Sequence, residues 1–307
     1  MMNFKTIASI FVFISALMFV GCFDSKNVDA DTPKKKMVSV STFSLYDIAT
    51  HIAKDTMDIT MILPFGVDAH SFEPTPKLMA KILNSDLVVY SGAGLEPWTH
   101  SFEFKSKVID MSKYVHLLKS HKQHNHSKHH HGAIDPHYWL DIQNMVDAVN
   151  VLTKAFIELL PQNKELYTKN KDSYIKMLKS IDAEYKKRLQ QCKKDTIVVN
   201  HNAFSYLSKN YGFRVEALSG LSPDAQPDAK SIIRVMECVK EHNISTIFFE
   251  SFMSDRAMKS ISNELKVKIN VLQPIGNITA DEAKKHLTYE DIMLSNLEKI
   301  SSSLECR

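Results

Sequence analysis

Three histidines occupy matching places in the sequence, each just beyond a predicted strand or strand-like segment. His70 follows the second predicted strand, His137 lies in the motif Asp-Pro-His-Tyr-Trp-Leu-Asp, and His201 directly follows the fifth predicted strand. Ligands of open α/β sheets bind at the carboxyl ends of the strands, so these imidazoles can converge if two sheets face each other there. Imidazole nitrogens suit zinc, at about 2.0–2.1 Å. One such histidine alone would more often be a core or capping residue, but three at matching positions favour a metal site.

A second group of histidines is clustered. Seven of the 14 histidines fall between His116 and His131, interleaved with Lys, Ser and Asn. The stretch has no apolar period and therefore predicts a loop. Weak metal capture close to the main site is the functional interpretation, and a solvated spacer or an expression tag is the alternative.

The elements that must position these residues alternate between strand and helix. This alternation predicts an α/β fold of two lobes, each with a roughly four-stranded parallel sheet flanked by helices. Residues 143–192 are helical throughout except at Pro161, with apolar side chains on one stripe, and predict one long rigid helix that joins the lobes. A straight helix from Asn163 to Cys192 would run roughly 45 Å. A short helix is expected from Glu96 to Phe104.

The N-terminus is typical of an exported protein. Lys5 precedes an uncharged run from Ile7 to Val20, which fits a secretory signal and is short for a membrane span. Phe19-Val20-Gly21-Cys22 is similar to a bacterial lipobox, so we expect either lipidation of Cys22 or simple cleavage. The predicted organisation is a signal peptide at 1–21, a flexible tether at 22–36, an N-terminal lobe at 37–142, a linking helix region at 143–192 and a C-terminal lobe at 193–307.

Composition excludes several other classes of protein. The 307 residues are 44% hydrophobic, which argues against disorder, and the formal charge of +3 is too even to indicate a nucleic-acid partner. The chain contains four cysteines but no Cys-x-x-Cys motif. In an exported chain, pairing of Cys192 with Cys306 is favoured because both lie at the ends of helical stretches, although Cys192, Cys238 and Cys306 could all stay reduced.

Longer motifs carry a family resemblance. Gly-x-Asp-x-His-x-Phe-Glu-Pro-Thr-Pro around His70, Asp-Pro-His-x-Trp-Leu-Asp around His137 and Asn-His-Asn-Ala-Phe-x-Tyr around His201 resemble the metal-binding solute receptors of bacterial ABC importers, and above all the zinc-uptake type. The resemblance runs from about Val38 to the C-terminus. It implies two α/β lobes joined by a long helix, with metal in the cleft between them.

By this resemblance, His70, His137 and His201 are the metal ligands. Manganese-type relatives have a carboxylate at the third place, and an all-imidazole set favours zinc. The family's common fourth ligand is an acid, but Gln273 stands at that place here. Water, Gln273, Glu73 and a histidine of the loop therefore stay open as the fourth ligand.

The resemblance implies a periplasmic receptor that binds Zn²⁺ as transported ligand and delivers it to an ABC permease in the cytoplasmic membrane. A monomer that is not an enzyme is expected. Alternatives are a manganese-type receptor, a three-histidine zinc enzyme and a surface adhesin. The enzyme is disfavoured because neither His-Glu-x-x-His nor His-x-Glu occurs in the sequence.

Overall fold

Two parallel four-stranded sheets form the framework of the chain in a computed structural model, which describes residues 34–119, 134–222, 227–250 and 256–307. The predicted signal peptide, nearly all of the tether and most of the histidine-rich loop therefore lie outside the described residues. From Lys36 to Arg307 the chain is one compact unit. The predicted α/β fold with two parallel sheets flanked by helices is confirmed.

The N-terminal sheet has the strand order β2-β1-β3-β4. Its strands are β1 (Lys36–Val40), β2 (Met57–Met61), β3 (Leu87–Tyr90) and β4 (Lys107–Asp110). Helices α1 (Phe43–Ala53) and α2 (Pro76–Leu83) connect the first three strands. Helix α2 begins where the sequence indicates, since the Thr75 hydroxyl accepts a hydrogen bond from the Leu78 N–H and Pro76 takes the first helical position.

The connection from β3 to β4 differs from the expectation. A 3-10 turn spans Pro97–Ser101, where a helix from Glu96 to Phe104 was predicted. The turn buries Trp98, and Phe102 takes an extended backbone conformation that ends it. Burial of Trp98 therefore favours a short 3-10 turn over the longer helix that local propensity predicts.

A short antiparallel ribbon follows the N-terminal sheet. It consists of β5 (Leu118–Lys119) and β6 (Ile134–Asp135), which flank the part of the histidine-rich loop outside the described residues. The sequence analysis did not predict these strands, because two residues are too few to show an apolar alternation. The ribbon brings the two ends of the loop together immediately before His137.

Two consecutive helices connect the sheets. Helix α3 (Ile142–Leu159) is followed by a 3-10 turn at Pro161–Asn163 and by α4 (Lys164–Arg188), so the break falls at the predicted proline. Helix α4 has 25 residues and is about 37 Å long. It ends at Arg188, so it is shorter than the helix expected to reach Cys192. Among the described residues, no helix combines the length and the hydropathy needed to cross a bilayer.

The C-terminal sheet repeats the scheme with the strand order β10-β9-β7-β8. Its strands are β7 (Thr196–His201), β8 (Arg214–Ser219), β9 (Thr246–Phe249) and β10 (Lys268–Val271). The associated helices are α5 (Ser205–Tyr211), α6 (Ala229–Glu241), α7 (Arg256–Leu265), α8 (Ala280–Lys284) and α9 (Tyr289–Ser303). Strands β7 and β9 are direct neighbours, so residues at their carboxyl ends come together although they are far apart in the chain.

One hydrophobic core runs through both halves of the molecule. Val40 of β1, Val199 of β7, Leu178 of α4 and Leu297 of α9 all belong to it. Smaller clusters cover the outer face of each sheet, and Val198 points into one while Val199 points into the main core. Burial on both faces is the usual state of a parallel sheet and explains the unbroken apolar runs in the strands.

A disulfide joins the end of the linking helices to the end of the chain. Cys192 is bonded to Cys306 over a sequence separation of 114 residues. Cys238 is a free, half-buried thiol. The favoured cysteine pairing is confirmed.

Candidate functional site

His70 lies in the loop that leaves the carboxyl end of β2. The Asp68 carboxylate accepts a hydrogen bond from the His70 backbone N–H at 2.8 Å. The start of this loop is held from the other half of the chain, because Asn277 donates its side-chain amide to the carbonyls of Pro64 and Val67 at 2.6 and 2.8 Å. The Nε2 atom of His70 is buried and makes no hydrogen bond. A buried nitrogen of this kind is costly unless a ligand engages it.

His137 is fixed by the residue that ends the ribbon. Asp135 Oδ1 accepts hydrogen bonds from both the backbone N–H and the Nδ1 of His137, at 3.0 and 2.8 Å. Both side chains are almost fully buried. A carboxylate on Nδ1 assigns the proton to that nitrogen and leaves the Nε2 lone pair for a ligand.

His201 is the last residue of β7 and is held in the same way. Its Nδ1 is hydrogen-bonded to Glu250 Oε1, and both residues are buried. Glu250 follows β9, the strand next to β7, so the parallel sheet itself brings the carboxylate to the ring.

The structure brings these three histidines together. The ring centre of His137 lies 5.4 Å from that of His70 and 5.4 Å from that of His201. Three imidazoles bound through Nε2 to one tetrahedral zinc at about 2.0–2.1 Å would have ring centres roughly 5 Å apart. In the described part of the chain, no group of three or more His, Cys, Asp or Glu side chains already stands in metal-binding geometry.

The space between the rings is small. The cavity measures about 20 Å³, and Asp68, Trp139, Glu250 and Asn277 line it together with the three histidines. This volume holds about one water molecule or one ion. Trp139 packs edge-on against His137 and forms one side of the cavity. Its indole N–H donates a hydrogen bond to the Pro274 carbonyl.

Burial and neighbouring charge give the histidines different pKa values. Burial, together with charge repulsion from the adjacent His137 and His201, lowers the pKa of His70 to about 3. Burial also lowers the pKa of His201, but the charge and hydrogen bond of Glu250 outweigh it, so the net shift is upward. His70 is therefore a neutral imidazole at physiological pH, which is the form that binds a metal.

Comparison with known proteins decides the family. Residues 38–303 match the family model for the zinc-uptake complex component A, periplasmic, or ZnuA. The chain belongs to the ZnuA family.

Individual relatives agree with this membership. The chain is 32% identical to the high-affinity zinc uptake system protein ZnuA of Bacillus subtilis, with 98% of both chains covered. The crystal structure of the Zn(II)-bound ZnuA-like domain of Streptococcus pneumoniae AdcA has a TM-score of 0.75 and 30% identity, over 88% of this chain and 99% of that one. A laminin-binding protein of Streptococcus agalactiae, described as bifunctional with adhesin and metal-transporting activity, has a TM-score of 0.77 and 28% identity, over 88% of this chain and 99% of that one.

Of the four candidates for a fourth ligand in this ZnuA-family chain, neither Gln273 nor Glu73 is among the residues that line the cavity. The side-chain nitrogen of Gln273 donates to both Glu282 oxygens, at 2.8 and 2.9 Å, and Gln273 is not among the residues that line the cavity. Glu73 is exposed to solvent. The loop histidines beyond His116 lie outside the described residues.

Sequence reasoning missed the carboxylates behind the rings. Asp135 stood in a recognised motif without a role, and Glu250 was not singled out at all. The signal for Glu250 was available, since a charged residue directly follows the buried strand Thr246–Phe249. Pairing it with His201 required the strand order, which periodicity does not supply.

Proposed function

We propose that this protein is the extracytoplasmic zinc receptor of an ABC importer. His70, His137 and His201 bind one Zn²⁺ between the two sheets, and the receptor delivers the ion to a permease in the cytoplasmic membrane. The observation that carries the proposal is the convergence of three imidazoles, two of them held at Nδ1 by buried carboxylates and the third with a buried, unbonded Nε2. Membership of the zinc-uptake family supports it.

The donor set favours zinc over manganese. Mn²⁺ prefers oxygen ligands, whereas the three proposed ligands here are imidazole nitrogens. Asp135 and Glu250 are engaged with ring nitrogens, so they offset the charge of a bound ion from behind its ligands. Zn²⁺ with three neutral imidazoles carries two positive charges, and these two carboxylates carry two negative ones.

The size of the cavity argues against a zinc enzyme. Metal-dependent hydrolysis needs room for a substrate beside the ion and a group placed to activate water. A volume of about 20 Å³ between the rings matches one ion or one water molecule, and the family relatives are zinc-uptake proteins. An adhesin role rests on likeness to a laminin-binding neighbour alone and is the weaker alternative.

Export and anchoring complete the proposal. Cleavage of residues 1–21 would leave Cys22 as the first residue, available for lipidation, and a polar tether would connect it to the body that starts at Lys36. The lobes of the proposed receptor are residues 37–142 and 193–307, with the linking helix region at 143–192 between them. The receptor is proposed to act as a monomer.

Calorimetric titration of metal-stripped protein tests the function. We expect one tight Zn²⁺ site and much weaker Mn²⁺ binding. His137→Ala should abolish tight zinc binding, whereas His100→Ala, which removes an exposed histidine on the 3-10 turn, should leave it unchanged. Tight zinc binding that survives His137→Ala would contradict the site. Chromogenic ester or amide turnover that depends on His137 would favour the enzyme instead.

A further inference from the structure

Tyr206 forms a contact between the two halves of the site. It lies on α5 of the C-terminal half, five residues after His201, and is fully buried. Its hydroxyl donates to the Asp135 carbonyl at 2.8 Å and accepts from the Leu118 N–H at 3.0 Å. Leu118 and Asp135 are opposite each other in the β5–β6 ribbon. One hydroxyl therefore bonds both strands of the ribbon at the same pair of residues.

A tyrosine hydroxyl suits this place because it is both donor and acceptor. The ribbon has only two residues on each strand, too few to be stable alone. Without the hydroxyl, the Leu118 N–H and the Asp135 carbonyl would each lose one hydrogen bond, at the same point of the ribbon. Asn144 of α3 holds the chain from the other side, through hydrogen bonds to the His116 N–H and carbonyl at 2.7 and 2.9 Å.

The contact continues to a candidate ligand. The backbone carbonyl of Asp135 is held by Tyr206, and its side chain holds the Nδ1 and N–H of His137. Tyr206 itself follows His201 on one short segment, from the end of β7 into α5. Two hydrogen bonds, joined through Asp135, thus connect the segment that carries His201 to the ring of His137.

We propose that Tyr206 is a positioning residue for zinc capture, which fixes His137 relative to His201 by holding the backbone of Asp135. This inference rests on the proposed zinc-binding function. Tyr206 touches no metal and acts only through Asp135. Its second effect is to hold Leu118 and Asp135, one on each strand of the ribbon, against the C-terminal half.

Tyr206→Phe tests the proposal, with Tyr211→Phe as its matched control. Tyr211 is on the same helix and its hydroxyl bonds Asp182 of α4 at 3.1 Å, away from the ribbon. Changes to groups that orient metal ligands weaken binding by about 10–100-fold, so we expect a loss of about tenfold in zinc affinity for Tyr206→Phe and less than about twofold for Tyr211→Phe. Competition against a zinc chelator measures both.

Two further measurements separate positioning from general loosening. The visible absorption of the Co²⁺-loaded protein reports ligand geometry and should change in Tyr206→Phe but not in Tyr211→Phe. In metal-free protein, hydrogen exchange should become faster in the peptides that cover 116–119 and 134–138, again only in Tyr206→Phe.

Each outcome decides the matter. If wild type itself fails to bind zinc, the proposed function is wrong. If wild type binds zinc and Tyr206→Phe matches it in affinity and Co²⁺ spectrum, or if Tyr211→Phe shows the same losses, the positioning role is wrong. Should Tyr206→Phe not fold, Asp135→Ala removes the oxygen that holds the His137 ring, and an unchanged Co²⁺ spectrum in that variant would overturn the proposal.

Discussion

Two of the three histidine rings of the candidate site are held by a neighbour that is not itself a proposed ligand. Asp135 stands behind His137 and Glu250 behind His201, both within the protein interior. Such partners select the tautomer, fix the ring orientation and raise the basicity of the ligand nitrogen. His70 has no carboxylate on its ring among its described contacts, and burial, with repulsion from His137 and His201, lowers its pKa far enough to keep it neutral.

The Glu250 carboxylate gives a prediction at this scale. Glu250→Gln keeps an oxygen that can accept from His201 Nδ1 but removes the negative charge. We expect zinc affinity at pH 8 to fall about 10–100-fold, because the ring becomes less basic and the charge of the ion is less well offset. Titration of metal-stripped protein provides the measurement. Glu264→Gln, an exposed acid on α7, is the control, and equal affinities for wild type and Glu250→Gln would rule out a role for this charge.

At the scale of elements, the turn after β3 shows how one short segment is specified by its surroundings. Gly92 and Gly94 both have backbone φ near +80°, a region that side chains rarely adopt. A Cβ on Gly92 would lie 1.9 Å from Asp110 Oδ1, whereas one on Gly94 would meet nothing within 4 Å. The two glycines therefore share the conformational requirement but differ in available space.

Alanine at these two positions separates the two effects. Gly94→Ala should cost about 1–2 kcal/mol of unfolding free energy, from the left-handed backbone alone. Gly92→Ala should cost at least about 2 kcal/mol more, because Asp110 must move away from its hydrogen bonds with the Ser112 N–H and hydroxyl. Denaturant unfolding of both variants measures the difference. Equal losses of unfolding free energy in the two variants would show that the Asp110 side chain moves aside at no cost in stability.

The same turn predicts a pH dependence of stability. Glu96 is buried, and burial raises its pKa to about 7 from an ordinary value of 4.5, against the opposing hydrogen bonds from Ser41, Ser91 and Gly92. The folded state binds this proton more tightly than the unfolded state, so its stabilising effect is complete below pH 4.5 and is lost as the pH rises to about 7. The change amounts to about 3 kcal/mol.

Glu96→Gln should remove this contribution. The free energy of unfolding of wild type should fall between pH 4.5 and 7 more steeply than that of Glu96→Gln, and the two slopes rather than the absolute values are the test. Glu103→Gln, an exposed acid ahead of β4, should keep the wild-type slope. Parallel slopes for wild type and Glu96→Gln would show that this carboxyl titrates at its ordinary value.

At the scale of the whole molecule, the two sheets are not independent bodies. The linking helices α3 and α4 and the last helix α9 contribute to one core that reaches both sheets. The buried Asp47 of α1 is hydrogen-bonded to the Tyr174 hydroxyl of α4 at 2.6 Å and to the Tyr289 N–H of α9 at 3.2 Å. The disulfide adds a covalent connection between the residues that follow α4 and α9.

Removal of this disulfide should lower stability without altering the site. A bond between residues 114 apart restricts the unfolded chain strongly, and loss of a native disulfide typically costs about 2–5 kcal/mol. We expect that range for the double variant Cys192→Ser with Cys306→Ser, with zinc affinity unchanged, as measured by denaturant unfolding and metal titration. Cys238→Ser, at a free thiol, is the control. A loss of zinc affinity in the double variant would contradict the expectation that the disulfide stabilises the fold without affecting the zinc site.

The sequence alone determined the features that depend on local pattern. Strand and helix alternate along the chain because apolar periodicity and caps such as Thr75-Pro76 act over a few residues. The placement of His70, His137 and His201 just after strand-like segments was visible for the same reason.

The tertiary structure decided which distant groups meet. Glu250 reaches His201 only because β9 lies beside β7, and Tyr206 reaches Asp135 only because α5 packs against the ribbon. The helix expected at Glu96–Phe104 became a short turn because burial of Trp98 and Glu96 outweighed local propensity. Contacts between residues 49 or 71 positions apart leave no local pattern, since strand order and packing alone create them.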